Sequence, residues 1–225
     1  MLLIKAVACD VDGTITDGSK HIQPKAIEIL RKVQANGYHV MLATGNVLPV
    51  AFGLSAFLGM KGPVIAENGG LVYYKEQVYK LQSIETPLRA WSYLKERMPE
   101  AERLFTDHWR ETEVGLKRST DLDKVKRILY DWPVEIEVTG FAIHIMEPGH
   151  SKLKGVIKGC ELLGIEPHQV LAIGDSDNDV RLLRGVGQSV AVGNASLLAK
   201  QAAKYVAEAS HVDGVVEGLF HFGVL

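Results

Sequence analysis

Short apolar runs and helical segments alternate along most of the chain, and this alternation limits the fold more than any other feature. Residues 3–8 form an apolar run interrupted only by Lys5, and residues 24–36 follow with apolar side chains at helical spacing and Gly37 just past the end. Strands that are continuous apolar runs are typical of a parallel sheet buried on both faces. The sequence therefore predicts an α/β fold, a Rossmann-like parallel sheet with helices on both faces.

The same alternation continues before and after the middle of the chain. We expect further strands at residues 38–43, 64–66, 170–173 and 189–192, and further helices at residues 151–163, 177–183 and 196–203. Residues 40–60 carry no charge, but they contain a polar turn, a proline and two further glycines. A strand, a turn and a short helix account for this stretch better than a membrane span does.

Residues 81–148 depart from this alternation and carry a higher density of charge. Here the patterns predict helices at 86–98 and 121–131, a strand-like segment at 103–117, and a hairpin of strands 134–138 and 141–146. Two helices with antiparallel strands form an α+β unit. We therefore expect a discontinuous core domain, residues 1–80 and 149–225, with an inserted α+β domain at residues 81–148.

Charge and cysteine content exclude several classes of protein. The chain has 25 Lys and Arg against 27 Asp and Glu, with no dense basic run, which argues against nucleic-acid binding. Cys9 and Cys160 are far apart in sequence and belong to no metal-binding motif. The apolar run in residues 1–9 is too short for a signal peptide. We expect a cytoplasmic protein with no nucleic-acid partner and no membrane association.

Polar clusters follow three of the predicted strands directly. They are Asp10-Val11-Asp12-Gly13-Thr14, Thr44-Gly45-Asn46, and Gly174-Asp175-Ser176-Asp177-Asn178-Asp179. In an open α/β sheet, ligands bind at the edge formed by the carboxyl ends of the strands. Either acidic cluster alone also suits an ordinary turn or helix cap. Together the three clusters predict one site.

The carboxylates in these clusters indicate a hard cation. Asp10, Asp12, Asp175 and Asp179 repel one another at neutral pH unless a cation neutralises them, and oxygen ligands of this kind suit Mg²⁺.

The remaining polar groups suit a phosphate. Thr44 and Asn46 offer a hydroxyl and an amide, and either Lys152 or Lys154 supplies a positive charge. A carboxylate nucleophile, a metal ion and a phosphate site together indicate phosphoryl transfer through an aspartyl-phosphate.

As a set and in this order, the motifs resemble those of the haloacid dehalogenase superfamily of phosphohydrolases. The match spans the whole predicted core. The Glu67-Asn68-Gly69-Gly70 segment and the inserted domain, which corresponds to a cap, resemble the branch with an α+β cap. Within that branch the chain most resembles archaeal phosphoglycolate phosphatases. The resemblance implies a small phosphorylated metabolite as substrate, 2-phosphoglycolate above others, with a phosphosugar phosphatase or mutase as the alternative.

The resemblance also assigns roles to residues. It implies that Asp10 is the nucleophile and a Mg²⁺ ligand, and that Asp12 is the general acid and base and reaches the metal site through its main chain. Thr44 binds the transferring phosphoryl group, with the backbone N–H groups of Gly45 and Asn46. The resemblance further implies that Asp175 and Asp179 are ligands of Mg²⁺ and that Lys152 binds the phosphate. Lys154 has the Lys-Gly pair of the family, so it stays an alternative to Lys152.

Arg110 is the candidate for recognition of the rest of the substrate. It lies in the run Asp107-His108-Trp109-Arg110-Glu111, and its guanidinium can pair with a carboxylate such as that of glycolate. An ion pair within the cap, with Glu111 or Glu113, explains it equally well. His144 is interpreted as a packed core or wall residue and not as a catalytic group. The oligomeric state stays open between a monomer and a homodimer.

Overall fold

The structure, a computed structural model, describes residues 3–225 and contains two β-sheets. Residues 1 and 2, part of the predicted core, lie outside the described residues. In chain order the strands are β1 (Ala6–Cys9), β2 (His39–Ala43), β3 (Val64–Ala66), β4 (Leu71–Tyr74), β5 (Gln77–Lys80), β6 (Glu113–Lys117), β7 (Glu135–Val138), β8 (Ala142–Met146), β9 (Val170–Gly174), β10 (Gln188–Ala191) and β11 (Tyr205–Val206). The larger sheet has the order β11-β10-β9-β1-β2-β3-β4-β5 and the smaller β6-β8-β7.

The larger sheet is parallel from β11 to β3, and β4 and β5 extend it as antiparallel strands. β1 lies in its interior and pairs with β2 on one side and β9 on the other. All four residues of β1 are buried, as the apolar run predicts. The parallel sheet is therefore confirmed, with an antiparallel edge added.

Eight α-helices accompany the two sheets in residues 3–225. They are α1 (Pro24–Ala35), α2 (Leu48–Leu58), α3 (Glu85–Arg97), α4 (Leu122–Ile128), α5 (Lys152–Leu163), α6 (Val180–Gly185), α7 (Leu197–Ala202) and α8 (His211–His221). The connections through α1 and α2 run from β1 towards β3, and those through α6 and α7 run the opposite way, from β9 towards β11. Because such crossovers are right-handed, the two pairs of helices lie on opposite faces of the sheet.

The smaller sheet and two helices form a second hydrophobic cluster. Its buried side chains come from α3, α4 and the strands β6 and β8, with Leu94, Leu116 and Ile145 among those fully buried. The main cluster is built on the larger sheet. This is the predicted α+β unit between two parts of a parallel fold, called the cap below. The domain boundaries at 80/81 and 148/149 stay predictions.

The prediction of a strand-like segment at residues 103–117 is wrong for the first half of these residues. Phe105–Trp109 forms a 3₁₀ helix, and only Glu113–Lys117 is a strand. The cause is the buried carboxylate of Asp107, which accepts the backbone N–H of Gly115 at 2.5 Å and pairs with Arg103. An aspartate that bonds to nearby backbone and side chains favours a turn over an extended chain.

The sequence pattern does not indicate the β4–β5 hairpin, because its turn has no glycine or asparagine. Its two central residues, Lys75 and Glu76, have φ angles of 48° and 62°. A tight hairpin turn with positive φ at both positions normally carries Asn-Gly. The Tyr73 hydroxyl, which donates to Glu76 at 2.8 Å, holds this turn instead.

The uncharged stretch of residues 40–60 divides as expected into β2, a turn and α2, and Gly59, with φ 80°, caps the C-terminus of α2. No helix in residues 3–225 has the length and apolar character needed to span a membrane. The predicted cytoplasmic location and the oligomeric state stay predictions.

Replacement of Glu76 by glycine should stabilise the protein. Glu76→Gly is expected to raise the free energy of unfolding by about 1 kcal/mol, because glycine adopts a positive φ without steric cost and the hydrogen bond from Tyr73 that it loses is exposed and contributes less. Glu76→Ala keeps the Cβ and should give no such gain. Urea denaturation of both variants measures the difference. An equal gain in both would assign the effect to the lost side chain and not to the backbone.

Candidate active site

Three neighbouring strands end level with one another and bring the polar clusters together. Cys9, the last residue of β1, lies opposite Leu42 of β2 and Ile173 of β9. The next residue, Asp10, donates its backbone N–H to the Ile173 carbonyl at 2.9 Å. All three clusters therefore occupy the same edge of the sheet, as the sequence predicts.

Three carboxylates meet at this edge around a buried lysine. One oxygen from each of Asp10, Asp175 and Asp179 lies within 4.8 Å of the others. Lys152, only 1% exposed, places its ammonium 2.5 Å from Asp10 Oδ1 and 2.7 Å from Asp179 Oδ1. Lys154, the alternative, is exposed. The geometry thus brings Lys152 and not Lys154 to the carboxylates.

Hydrogen bonds and glycines fix the three carboxylates. Asp179 Oδ2 accepts the backbone N–H groups of Asp175 and Ser176, each at 3.1 Å. A Cβ at Gly174 would lie 2.5 Å from the Asp179 carboxyl carbon, and a Cβ at Gly13, where φ is 86°, would collide with the Asp175 carboxylate. Both glycines therefore leave room for the acidic side chains.

The site carries more negative charge than Lys152 neutralises. Burial raises the pKa of Asp10 well above its usual value despite the nearby ammonium, and burial with the Asp179 charge raises the pKa of Asp175. A divalent cation would favour the ionised forms. Carboxylate oxygens are the ligands that Mg²⁺ prefers, so the donor set fits this ion.

Asp12 lies beside this cluster but faces a different partner. Its Oδ2 accepts the Asn46 side-chain amide at 2.8 Å, and its carboxylate is not one of the three that converge. Asn46 also donates from its backbone to Thr44 Oγ1 at 3.1 Å. Asp12, Thr44 and Asn46 therefore form one polar group next to the acidic cluster.

Two cavities open beside Asp12. The first has a volume of about 460 Å³ and extends from Thr44 and Asn46 to Phe105 and Phe141 of the cap. The second, about 470 Å³, extends from Asp12 to Asp175 and also reaches Phe141. Core and cap together therefore enclose the space in front of the polar groups.

Arg110 lines neither cavity beside Asp12, contrary to the expectation that it binds substrate. Its guanidinium is buried, pairs with Glu113, and donates two hydrogen bonds of 3.1 Å to the Gly45 carbonyl. The alternative ion pair with Glu113 is the arrangement in the structure. Arg110 thus connects the cap to the loop of Thr44, Gly45 and Asn46.

Glu113 does more than pair with Arg110, and the sequence gives no indication of its further contacts. Besides Arg110, it lies 2.8 Å from His144 Nδ1, and it accepts the side-chain amide of Asn68 at 2.9 Å. Burial disfavours its charged form, but His144 and Arg110 outweigh burial and hold the pKa of Glu113 well below its usual range. An isolated glutamate in a strand pattern gives no signal of such a role.

Asn68 continues this network to the acidic cluster. Its Oδ1 accepts the side-chain amide of Asn178 at 3.0 Å, and Asn178 precedes Asp179 in sequence. A chain of buried polar groups therefore joins the cap, through Glu113, to the third motif. His144 is fully buried, in agreement with its interpretation as a packed core or wall residue.

Comparison with known proteins gives the family. Residues 7–101 and 114–219 match the haloacid dehalogenase-like hydrolases. The chain belongs to this family. It is 38% identical to the phosphoglycolate phosphatase of Methanothermobacter thermautotrophicus, over 97% of this chain and 99% of that one, and 38% identical to the phosphoglycolate phosphatase of Methanopyrus kandleri, over 93% of each.

A solved crystal structure has the same fold over nearly the full length. The crystal structure of Thermoplasma acidophilum 0175 matches with a TM-score of 0.90 at 31% identity, and covers 99% of this chain and 100% of that chain. The family and the phosphatase relatives together place the chain among the phosphoric monoester hydrolases.

Loss of the Glu113 charge should destabilise the protein strongly. Glu113→Gln removes the closer of the two buried carboxylates that pair with Arg110, the other being Asp107 at 3.9 Å, and we expect a loss of about 3 kcal/mol in the free energy of unfolding. The matched control is Glu102→Gln, which breaks the exposed pair with Lys117 and should have a far smaller effect. Urea denaturation compares the two; similar losses would mean that the buried pair contributes no more than a surface one.

Proposed function

We propose that this protein is a Mg²⁺-dependent phosphomonoester hydrolase that acts through an aspartyl-phosphate on Asp10. The observation that carries this proposal is the position of the Lys152 ammonium between Asp10 and Asp179, with Asp175 close by. A buried lysine against two carboxylates holds a nucleophile in place and meets the charge of an incoming phosphate.

The side chains at the sheet edge support two chemical steps. Asp10 attacks the phosphorus in line and forms the acyl phosphate, while Asp12 gives its proton to the leaving alkoxide. Asp12 then takes a proton from a water molecule, and this water cleaves the acyl phosphate and releases inorganic phosphate and free Asp10. Asp12 lines both cavities, which suits a group that must reach first the leaving oxygen and then the water.

Other groups bind the phosphoryl oxygens and the cation. Thr44 and the backbone N–H groups of Gly45 and Asn46 hold the phosphoryl group, and Lys152 balances its charge. Asp10, Asp175 and Asp179 would hold Mg²⁺, with the main chain of Asp12. The ion would supply electrostatic stabilisation of the phosphoryl oxygens.

We propose 2-phosphoglycolate as the substrate. The names of the two relatives at 38% identity support this substrate. The cap closes over cavities of about 460 and 470 Å³, which suits a small metabolite. The competing substrate is a phosphosugar, handled by a phosphatase or mutase on the same core.

Loss of the nucleophile should abolish turnover. Asp10→Asn keeps the size of the side chain and removes the carboxylate, so we expect phosphate release to fall by roughly 10³-fold or more, to background. Circular dichroism checks that the variant is folded. Substantial turnover by folded Asp10→Asn would contradict covalent catalysis at this residue.

A pair of lysine variants separates the two candidates for the phosphate site. Lys152→Met removes the buried ammonium between Asp10 and Asp179 and should abolish activity, whereas Lys154→Met, on the exposed side of the same helix, should retain it. Phosphate release under saturating substrate measures both. The opposite ranking would assign the role to Lys154.

A substrate panel tests the cation and the substrate together. Phosphate release from 2-phosphoglycolate should require Mg²⁺, stop with a chelator, and exceed that from glucose 6-phosphate about tenfold in kcat/KM. Equal rates with chelator would contradict metal dependence. A preference for the phosphosugar would favour the alternative substrate.

A further inference from the structure

We propose that Lys20 recognises the second negative charge of the substrate, the one on the organic group opposite the phosphate. The inference rests on the proposed function and narrows its substrate class to phosphomonoesters that carry a carboxylate or similar anion. The sequence suggests Arg110 as the partner of the substrate carboxylate, but Arg110 is buried and paired with Glu113. The inference gives this role to Lys20 instead.

Lys20 lies where a substrate bound at the phosphate site extends into the cavities. Asp12, Lys20 and Phe141 line both cavities that open beside the phosphate site. Among the lining residues that the structure describes, Lys20 is the only lysine or arginine. An anionic group on a substrate held at Asp12 therefore meets one positive side chain in these cavities.

The Lys20 ammonium is also free to bind a substrate anion. Within residues 3–225 its ammonium forms no ion pair with a carboxylate, and its contact is with the face of the Phe141 ring, 4.9 Å from the centroid. Lys25, five residues later, is instead paired with Asp213 at 2.5 Å. An ammonium over an aromatic ring is weakly held, so a substrate carboxylate can replace the ring as its partner.

Hydrogen bonds within the turn hold the backbone of Lys20 in place. The Asp17 carboxylate accepts the backbone N–H groups of Ser19 at 2.8 Å and His21 at 3.0 Å. The backbone N–H of Lys20 donates to the Asp17 carbonyl at 2.9 Å. This turn follows the Asp10–Asp12 motif directly, so the base of the Lys20 side chain is fixed relative to the catalytic carboxylates.

Lys20 and Phe141 also come from different parts of the chain. Lys20 belongs to the core and Phe141 to the turn of the cap hairpin between β7 and β8. The side chain thus lies where the two parts meet over the site. An anion bound there contacts the core through Lys20 and the cap through the wall that Phe141 forms.

Two esters of equal length test this role. 2-Phosphoglycolate has a carboxylate where 2-hydroxyethyl phosphate has a neutral hydroxymethyl group, so the ratio of their kcat/KM values measures recognition of the anion. Lys20→Gln should lower this ratio about tenfold, mainly through KM for 2-phosphoglycolate, and Lys20→Arg should restore most of it. In the wild type, the ratio should fall as NaCl rises from about 0.05 to about 0.5 M, since the ammonium is exposed.

Lys32→Gln is the matched control. Lys32 is exposed on α1 and lines neither cavity, so its replacement makes the same change in net charge without touching the site. We expect the ratio of this variant to equal that of the wild type.

The outcomes separate this inference from the proposed function. Equal losses on both esters in Lys20→Gln, an equal change in Lys32→Gln, or a wild type that does not distinguish the esters would each overturn the role of Lys20 while hydrolysis itself stands. Failure of the wild type to hydrolyse either ester with Mg²⁺ would overturn the proposed function and this inference with it.

Discussion

The site depends on one buried ammonium held among carboxylates. Lys152 contacts Asp10 and Asp179 at hydrogen-bond distance, and although burial disfavours its charge, the two carboxylates outweigh burial and raise the pKa of Lys152. Removal of Lys152 would leave the two carboxylates uncompensated in a medium of low dielectric constant. With Asp175 included, three acidic groups face a single basic one. The arrangement is thus incomplete without further positive charge, which explains why an acidic cluster at this place suits a divalent cation.

The sequence predicts those site residues whose positions are set by the ends of the strands. Asp10, Thr44 and Asp175 each follow an apolar run, and parallel strands in register bring their ends to one edge, so no knowledge of packing is needed. The same reasoning gives the parallel strands β1, β2, β3, β9 and β10 and most helices to within a few residues, but not β4, β5 or β11. The family resemblance then adds the roles of these residues, which remain proposals.

The parts that the sequence does not predict depend on contacts between distant segments. Arg110 and Glu113 are three residues apart in the cap. They reach the site through hydrogen bonds with Gly45 and Asn68, which belong to the core. The segment before β6 turns because the Asp107 carboxylate bonds to Arg103 and to the Gly115 backbone, and hydrophobic periodicity gives no sign of these contacts. The β4–β5 hairpin forms through a turn whose residues are unusual for its backbone angles. In each case a tertiary or local polar contact overrides the pattern.

The contact between Arg110 and the Gly45 carbonyl has a mechanical consequence. Both hydrogen bonds run from a cap side chain to the backbone of the loop that carries Thr44 and Asn46. Any rotation that lifts the cap from the sheet edge must break both of them at once. The backbone of the loop that carries Thr44 and Asn46 is therefore tied to the position of the cap.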